Sequence, residues 1–289
     1  MRICRTIEEI RAARRGPPSD SKRLGLVPTM GALHEGHLSL VRAAKAQCDR
    51  VAVSLFVNPI QFGANEDLGK YPRNFDRDRA LLEQERVDLL FAPSVEEMYP
   101  SGAVTCVTVE GLSDKLCGRS RPGHFRGVTT VVAKLFNIVQ PEIAFFGQKD
   151  AAQAAIIRRM VRDLNIPVQI AVCPIVREPD GLAMSSRNAY LDSGQRKAAP
   201  VLYRSLMEIQ KRFDRGERTA SRLIGAGKQI LEQEPSVRLD HLEIVDPDTL
   251  DPLQTLSAPA LVAVAAFFGN TRLIDNILLN HGNRQLESD

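Results

Sequence analysis

The stretch Leu24-Gly25-Leu26-Val27-Pro28-Thr29-Met30-Gly31-Ala32-Leu33-His34-Glu35-Gly36-His37 constrains this chain more than any other. Its opening run is short and apolar, the texture of a buried strand, and Pro28 is expected to end it. A turn through Thr29, Met30 and Gly31 follows, and then Leu38, Leu40, Val41 and Ala44 recur at the spacing of an amphipathic helix. Strand, glycine turn, helix is an arrangement that aims unpaired backbone N–H groups at an anion. His34 and His37 are three apart, so on a helix they share one face. Backbone donors, the positive end of a helix and two imidazoles together suit nucleotide phosphates. A glycine turn before a helix is also a common structural joint, and His-x-x-His around Glu35 can bind metal. Helical zinc motifs, however, space their histidines four apart, with a glutamate beside the first.

The same texture recurs downstream. Apolar runs at 50–57, stopped by Asn58-Pro59, and at 88–92, closed by Pro93, flank a charged helical pattern at 75–86 that reads as a surface helix. Residues 104–109 alternate like a strand. A core helix at 127–139, a strand at 143–146, a helix at 149–164 and a strand at 168–172 complete the series. Strands alternating with helices predict an α/β fold, a Rossmann-like doubly wound parallel sheet with its ligand crevice at the carboxyl ends of the strands. From about Val176 the pattern changes: a Glu178-Pro179-Asp180-Gly181 turn, helical patterns at 193–215 and 219–233, then strand-like runs at 241–245, 260–268 and 272–279. That order predicts a second, smaller α+β domain. The expected division is 1–175 and 176–289. The basic stretch 11–21 reads as a solvated loop, and the residues from His281 as a frayed end.

With 289 residues, the chain suits one large or two modest domains, and its 44% apolar and 25% charged content is that of an ordinary globular protein. A net charge of +3 gives no argument for nucleic acid or membrane as a partner. No apolar run approaches bilayer length, and Arg2, Arg5, Glu8, Glu9 and Arg11 interrupt any signal-peptide core. Five scattered cysteines, never spaced as C-x-x-C, favour reduced thiols and a cytoplasmic location.

Four further segments carry chemistry. Gln61, between Ile60 and Phe62 just past a strand end, offers a donor and an acceptor to a small pocket, or is simply a solvated loop amide. The string RSRPGHFRG at 119–127 is basic and holds His124; a solvated loop is the plain alternative. Phe145 to Gln153 repeats the strand, glycine, helix-start design through Gly147, Gln148, Lys149 and Asp150. There Lys149 is a mobile charge for phosphates and Asp150 a ribose or ordering group, although a Lys-Asp pair opening a helix is often structural. Between Val176 and Asn188, Met184-Ser185-Ser186-Arg187 joins two hydroxyls to a guanidinium that could face developing negative charge.

The string PTMGALHEGH at 28–37 resembles the histidine signature of the adenylyl-transferring superfamily that includes class I aminoacyl-tRNA synthetases. Its particular wording is similar to that of the pantothenate synthetase (pantoate–β-alanine ligase) family. The order of the other segments agrees: LFVNPIQFG resembles that family's pantoate-binding segment, FFGQKD its Lys-Asp turn, and Ser185-Ser186-Arg187 its counterpart of the synthetase KMSKS loop. Gln148 stands where the family has glutamate, so Gln148 should be inessential to the chemistry. The resemblance spans about 24–191 and continues more weakly to 279.

The resemblance implies a cytoplasmic homodimer that condenses pantoate with β-alanine at the expense of ATP, through a pantoyl adenylate, releasing AMP and pyrophosphate. It implies catalytic roles for His34, His37, Lys149 and Arg187. ATP contacts would run through Met30 to His37 (Met30, Gly31, Ala32, Leu33, His34, Glu35, Gly36, His37), Gly147, Gln148, Lys149 and Asp150, and Val176, Met184, Ser185, Ser186 and Arg187. Gln61 and Gln153 would hold pantoate and β-alanine. Mg²⁺ is expected to enter on the ATP phosphates, without a dedicated protein cage. A simple nucleotidylyltransferase and a non-catalytic nucleotide- or RNA-binding module are the rival readings; Gln61, Gln153 and the Ser-Ser-Arg loop together favour the ligase.

Overall fold

The structure is a computed structural model that describes residues 1–15, 23–64, 66–257 and 259–280. Most of the 11–21 stretch and the whole tail from His281 lie outside these residues. The chain runs β1 (Arg2–Cys4), α1 (Ile7–Arg14), β2 (Leu24–Thr29), α2 (Glu35–Gln47), β3 (Arg50–Leu55), α3 (Phe75–Gln84) and β4 (Leu89–Phe91). Two single-turn helices follow, α4 (Val95–Met98) and α5 (Cys117–Ser120), then α6 (His124–Val139), β5 (Ile143–Gly147), α7 (Ala151–Asp163) and β6 (Gln169–Cys173). Next come α8 (Ser193–Ala198), α9 (Val201–Asp214), α10 (Ala220–Leu231), β7 (Val237–Val245), β8 (Ala260–Phe268) and β9 (Thr271–Leu279). Two compact units result: Met1–Val176 with Met184–Ser186, and Arg177–Ala183 with the chain from Arg187 onward. None of the described helices is long and apolar enough to cross a membrane.

The first unit is a six-stranded parallel sheet in the order β1-β4-β3-β2-β5-β6. Its central strands are apolar on both faces because helices cover both, so Val27, Val53, Leu90 and Phe145 are fully buried. On one side, Leu40, Val41 and Ala44 of α2 and Leu82 of α3 join that core. The chain steps outward from β2 through β3 to β4, then returns to lay β5 on the other flank of β2. The switch in direction therefore falls between β2 and β5, where open α/β sheets bind ligands.

The ladder itself opens there. β2 pairs with β3 along all of Leu24–Thr29, whereas its pairing with β5 is confined to Gly25↔Ile143 and Leu26↔Ala144. Pro28 was expected to end the strand, yet it lies within it, in register with Ser54. Proline lacks an N–H and is tolerated where one side of a strand is unpaired; Pro28 sits beyond the last β2–β5 pair.

Three other expectations are corrected. Residues 104–109 join neither sheet. The Val107 N–H instead donates to Thr130 Oγ1 at 3.0 Å, and Thr129 Oγ1 donates to the Val107 carbonyl at 2.6 Å, so threonines of α6 take the place of a neighbouring strand. The single helical pattern at 193–215 is broken into α8 and α9 at Pro200, whose ring cannot continue a helix. The helix expected from Lys149 opens with a tight 3₁₀ turn over Gln148–Asp150, and α7 proper starts at Ala151. The short edge strand β1 had no periodicity by which to be recognised.

The second unit places α9 and α10 on an antiparallel sheet ordered β7-β8-β9. Leu202, Leu206, Ile209 and Phe213 of α9 and Leu223 of α10 share a core with Val262, Val264 and Phe268 of β8. The turn at 177–183 is anchored in this unit by Arg177, which binds both carboxylate oxygens of the buried Asp275 at 2.6 and 2.9 Å and stacks on Tyr203.

In the first unit, α6 approaches the 58–61 loop through Gly127. A Cβ there would lie 2.4 Å from the Ile60 carbonyl oxygen and 2.5 Å from Gln61 Cα. Backbone on both sides leaves no flexible atom to yield. Gly127→Ala should therefore cost about 1–3 kcal/mol in urea unfolding, and an unchanged midpoint would show that the two segments separate freely.

Candidate active site

Parallel order alone gathers three loops at the carboxyl edge. The strands β3, β2 and β5 are neighbours, so the residues that follow them, 56–63, 30–37 and 148–153, emerge side by side.

The loop after β2 differs from the open phosphate cradle expected of it. Gly31 and Ala32 are both left-handed, with φ of 86° and 51°. Their turn does aim backbone N–H groups into one concavity, but a carboxylate of the protein fills it. Asp78, only 2% exposed, accepts the Ala32 N–H at 2.8 Å and the Leu33 N–H at 2.9 Å. The Gly31 N–H is directed to Thr29 Oγ1. Asp78 was missed in the sequence because α3 is densely charged. The usable signal is its place on the inward stripe Phe75, Asp78, Leu82, where an acidic residue demands a partner.

His34 stands just outside α2 as its N-cap and does not lie on the helix with His37 as expected. Its Nδ1 accepts the Gly36 N–H at 3.2 Å, and the His34 N–H in turn donates to His37 Nδ1 at 3.4 Å. With Nδ1 accepting in both rings, the neutral form of each carries its proton on Nε2. The ring centroids lie 4.1 Å apart. Gly36 permits this: a Cβ there would come within 2.9 Å of the His34 ring and 3.8 Å of Met184 Cβ. Glu35 turns outward to pair with Arg42.

Burial, reinforced by the His34 and Lys149 charges, pushes the His37 pKa down to about 3. His37 is therefore a neutral Nε2–H donor at neutral pH. The same interaction places Lys149 within electrostatic reach of the His37 ring. Lys149 Nζ also lies 3.7 Å from Asp150 Oδ2, at the turn that Gly147 and Gln148 begin. Gln153 follows one turn later on α7, half-buried.

Gln61, 8% exposed, is oriented by a chain of forced choices. The Gly127 carbonyl can only accept, so the Asn58 atom 3.0 Å away is Nδ2. That amide donates its other hydrogen to Gln61 Oε1 at 3.0 Å, and Tyr99 O–H donates to Asn58 Oδ1 at 2.8 Å. The Gln61 amide is thereby committed to presenting Nε2–H₂ as its donor, at present toward Met30 Sδ. From the basic segment, His124 grips the same loop: Arg121 can only donate to its Nε2, so its Nδ1–H donates to the Gln61 carbonyl at 2.9 Å. Burial and Arg121 hold His124 neutral, its pKa pushed down to about 4. The contacts left open by the sequence thus belong to the glutamine loop. Asn58 and Tyr99 escaped notice as site residues, and the contacts of His124 stayed open, because their roles depend on contacts 41, 63 or 69 positions away.

In the first unit, Met184 donates its N–H to the Val176 carbonyl, and Ser186 Oγ lies 3.3 Å from the Tyr71 hydroxyl, with Ser185 between them in sequence. Arg187 belongs to the second unit.

Since His37 is held neutral by its surroundings, unfolding lets it return to its ordinary value near 6.5. Its contribution to stability is present above pH 6.5 and is lost as pH falls toward 3. His37→Gln should consequently lose less stability than the unmodified chain between pH 7 and 4 in denaturant titrations. Ring NMR should show His37 unprotonated throughout that range, and a midpoint near 6.5 would refute the assignment.

The family model described as pantoate-beta-alanine ligase matches residues 2–278. The chain is 60% identical over 279 residues to the pantothenate synthetase of Koribacter versatilis, covering 96% of both proteins. Among solved structures, a pantothenate synthetase of Thermus thermophilus superposes with a TM-score of 0.91 at 51% identity, covering 96% of this chain and 99% of that one. The Francisella tularensis pantoate-beta-alanine ligase, solved in complex with a form of ATP and β-alanine, does so with a TM-score of 0.78 at 34% identity, over 96% and 97% of the two chains. The sheet with its switch point, the capped pair of imidazoles and the oriented glutamine are thus those of a chain that belongs to the pantoate–β-alanine ligase family.

Proposed function

We propose that this enzyme joins pantoate to β-alanine in two steps at the carboxyl edge of its parallel sheet. The pantoate carboxylate attacks the α-phosphorus of ATP, forming a mixed anhydride and releasing pyrophosphate. The amine of β-alanine then attacks the activated carbonyl, and AMP leaves. The observation that carries this reading is the pairing of two chemistries on neighbouring loops. The Nε2–H of His37, held neutral by burial, and Lys149 suit a phosphate-bearing ligand, while an oriented amide stands on the neighbouring loop.

Adenylation builds negative charge on the phosphates, and donors already in place need no reorganisation to meet it. His34, His37 and Lys149 serve there, with Ser185 and Ser186 as the further hydroxyl contacts. Backbone N–H groups at Ala32 and Leu33 contribute nothing direct, because Asp78 holds them. ATP enters as its Mg²⁺ complex, the metal held by phosphate oxygens and waters. Gln61 offers N–H₂ to the hydroxyl or carboxylate oxygens of pantoate, and Gln153 approaches from α7.

A cytoplasmic homodimer is part of the same reading. Five thiols without disulfides support the location. The β-branched 104–109 segment supports self-association, since it joins neither sheet and leaves Val104 90% exposed. Val104→Asp should shift the sedimentation of a dimer toward monomer.

Labelled pyrophosphate should enter ATP when pantoate is present and β-alanine absent; AMP should accumulate only with both. His37→Ala or Lys149→Ala should slow that exchange by about 10²–10³. Gln61→Ala should weaken pantoate by roughly 1–3 kcal/mol while sparing ATP. ADP and phosphate as products, or amide formation without exchange, would overturn the two-step scheme.

A further inference from the structure

We propose that Asp78, which no substrate need touch, is a positioning residue for the adenylation step; this rests on the reaction proposed above. Its carboxylate is the internal anion that shapes the signature loop, and through that loop it places both imidazoles.

The lever has four links. Asp78 projects from the inward stripe of α3, and each of its oxygens takes one backbone N–H, of Ala32 and of Leu33. From the neighbouring position, Arg77 Nη1 donates to the Leu33 carbonyl at 3.1 Å, so the peptide groups on both sides of Leu33 are held by one helical turn. Between these contacts Ala32 keeps a left-handed φ of 51°. A residue with a side chain adopts that conformation only where its surroundings impose it. Next in the chain is His34, whose ring caps α2 through the Gly36 N–H and whose own N–H tethers His37 Nδ1. The direction in which both Nε2–H groups point is therefore set by the backbone at Ala32 and Leu33. That backbone is set by a carboxylate 46 and 45 residues away.

A carboxylate fits this task and an amide does not. Two converging N–H donors need two acceptors, whereas asparagine offers one oxygen and turns an N–H₂ toward the second donor. Asp78→Asn is nearly isosteric, so it alters the loop while leaving the helix surface intact. Misplacing reacting groups by about 1 Å from a distance can cost around a hundredfold in rate.

The test compares the unmodified enzyme with Asp78→Asn in each half-reaction. Pantoate-dependent pyrophosphate–ATP exchange should fall by about a hundredfold. Pantoate affinity, and amide formation from chemically prepared pantoyl adenylate and β-alanine, should stay at the level of the unmodified enzyme. The ¹⁵N shift of His37 Nδ1 should move as its contact with the His34 N–H loosens. Exchange at full rate in folded Asp78→Asn would overturn the inference. So would equal losses in exchange, aminolysis and pantoate binding, which is the signature of a merely loosened fold. Should Asp78→Asn not fold, Arg77→Gln carries the test from an exposed position: exchange should fall by less, with aminolysis again spared, and unchanged exchange would count against the lever. Absence of pantoate-dependent exchange in the unmodified enzyme would bring down the proposed reaction itself, a result distinguishable from any failure of the variants.

Discussion

Everything at the carboxyl edge of the first unit depends on where the β2–β5 ladder stops. Two paired residues, Gly25 and Leu26, hold the strands together, and Pro28 has no N–H with which to extend the pairing. Beyond that point the backbone of β2 remains tied to β3 alone. The loops after β2 and β5 are thereby set side by side without a ladder between them, at the place where the order of the strands reverses. Helices cover both faces of the sheet, and the face that carries Val27, Val53 and Phe145 is buried in an apolar core shared with α2 and α3.

Charge is distributed across that opening in an unsymmetrical way. The anion-binding shape of the glycine turn is occupied from within by Asp78, while the groups beside it are His34, a His37 held neutral by burial, and Lys149. Two imidazoles with centroids 4.1 Å apart beside an ammonium cannot all carry charge without strong repulsion. Burial settles the matter by removing the proton from His37. A neutral donor avoids the cost of a buried, unpaired charge and still offers a hydrogen bond. The neighbouring glutamine loop follows the same economy of fixed donors. There, backbone carbonyls at Gly127 and Gln61 leave Asn58 and His124 one orientation each, and Gln61 inherits its own from them.

How much of this was legible in the sequence varies by residue. The strand–turn–helix at 24–47, the other buried strands of the first unit's sheet beyond the three-residue β1, and the helix-then-strand order of the second unit all carry local periodicity, and these were read to within a few residues. The segment at 104–109 misled, since alternating β-branched residues specify an extended backbone and say nothing about its partner; the partner proved to be a pair of threonine hydroxyls on α6. The pattern at 193–215 misled for the opposite reason: apolar spacing runs across Pro200, but the backbone there cannot.

Local sequence determined which segments would be strands and helices, which loops would bear chemistry-competent side chains, and the family to which they belong. It did so because apolar periodicity, glycine turns and short motifs are properties of neighbouring residues. Only the tertiary structure decided that His34 would cap the helix, that Gln61 would present its nitrogen, and that the glycine turn would hold an aspartate of the protein in its concavity. Those outcomes rest on hydrogen bonds and desolvation between groups 2 to 69 positions apart. At the longer separations, a donor's partner is fixed by the packing of the sheet and its helices and leaves no trace in the residues beside it.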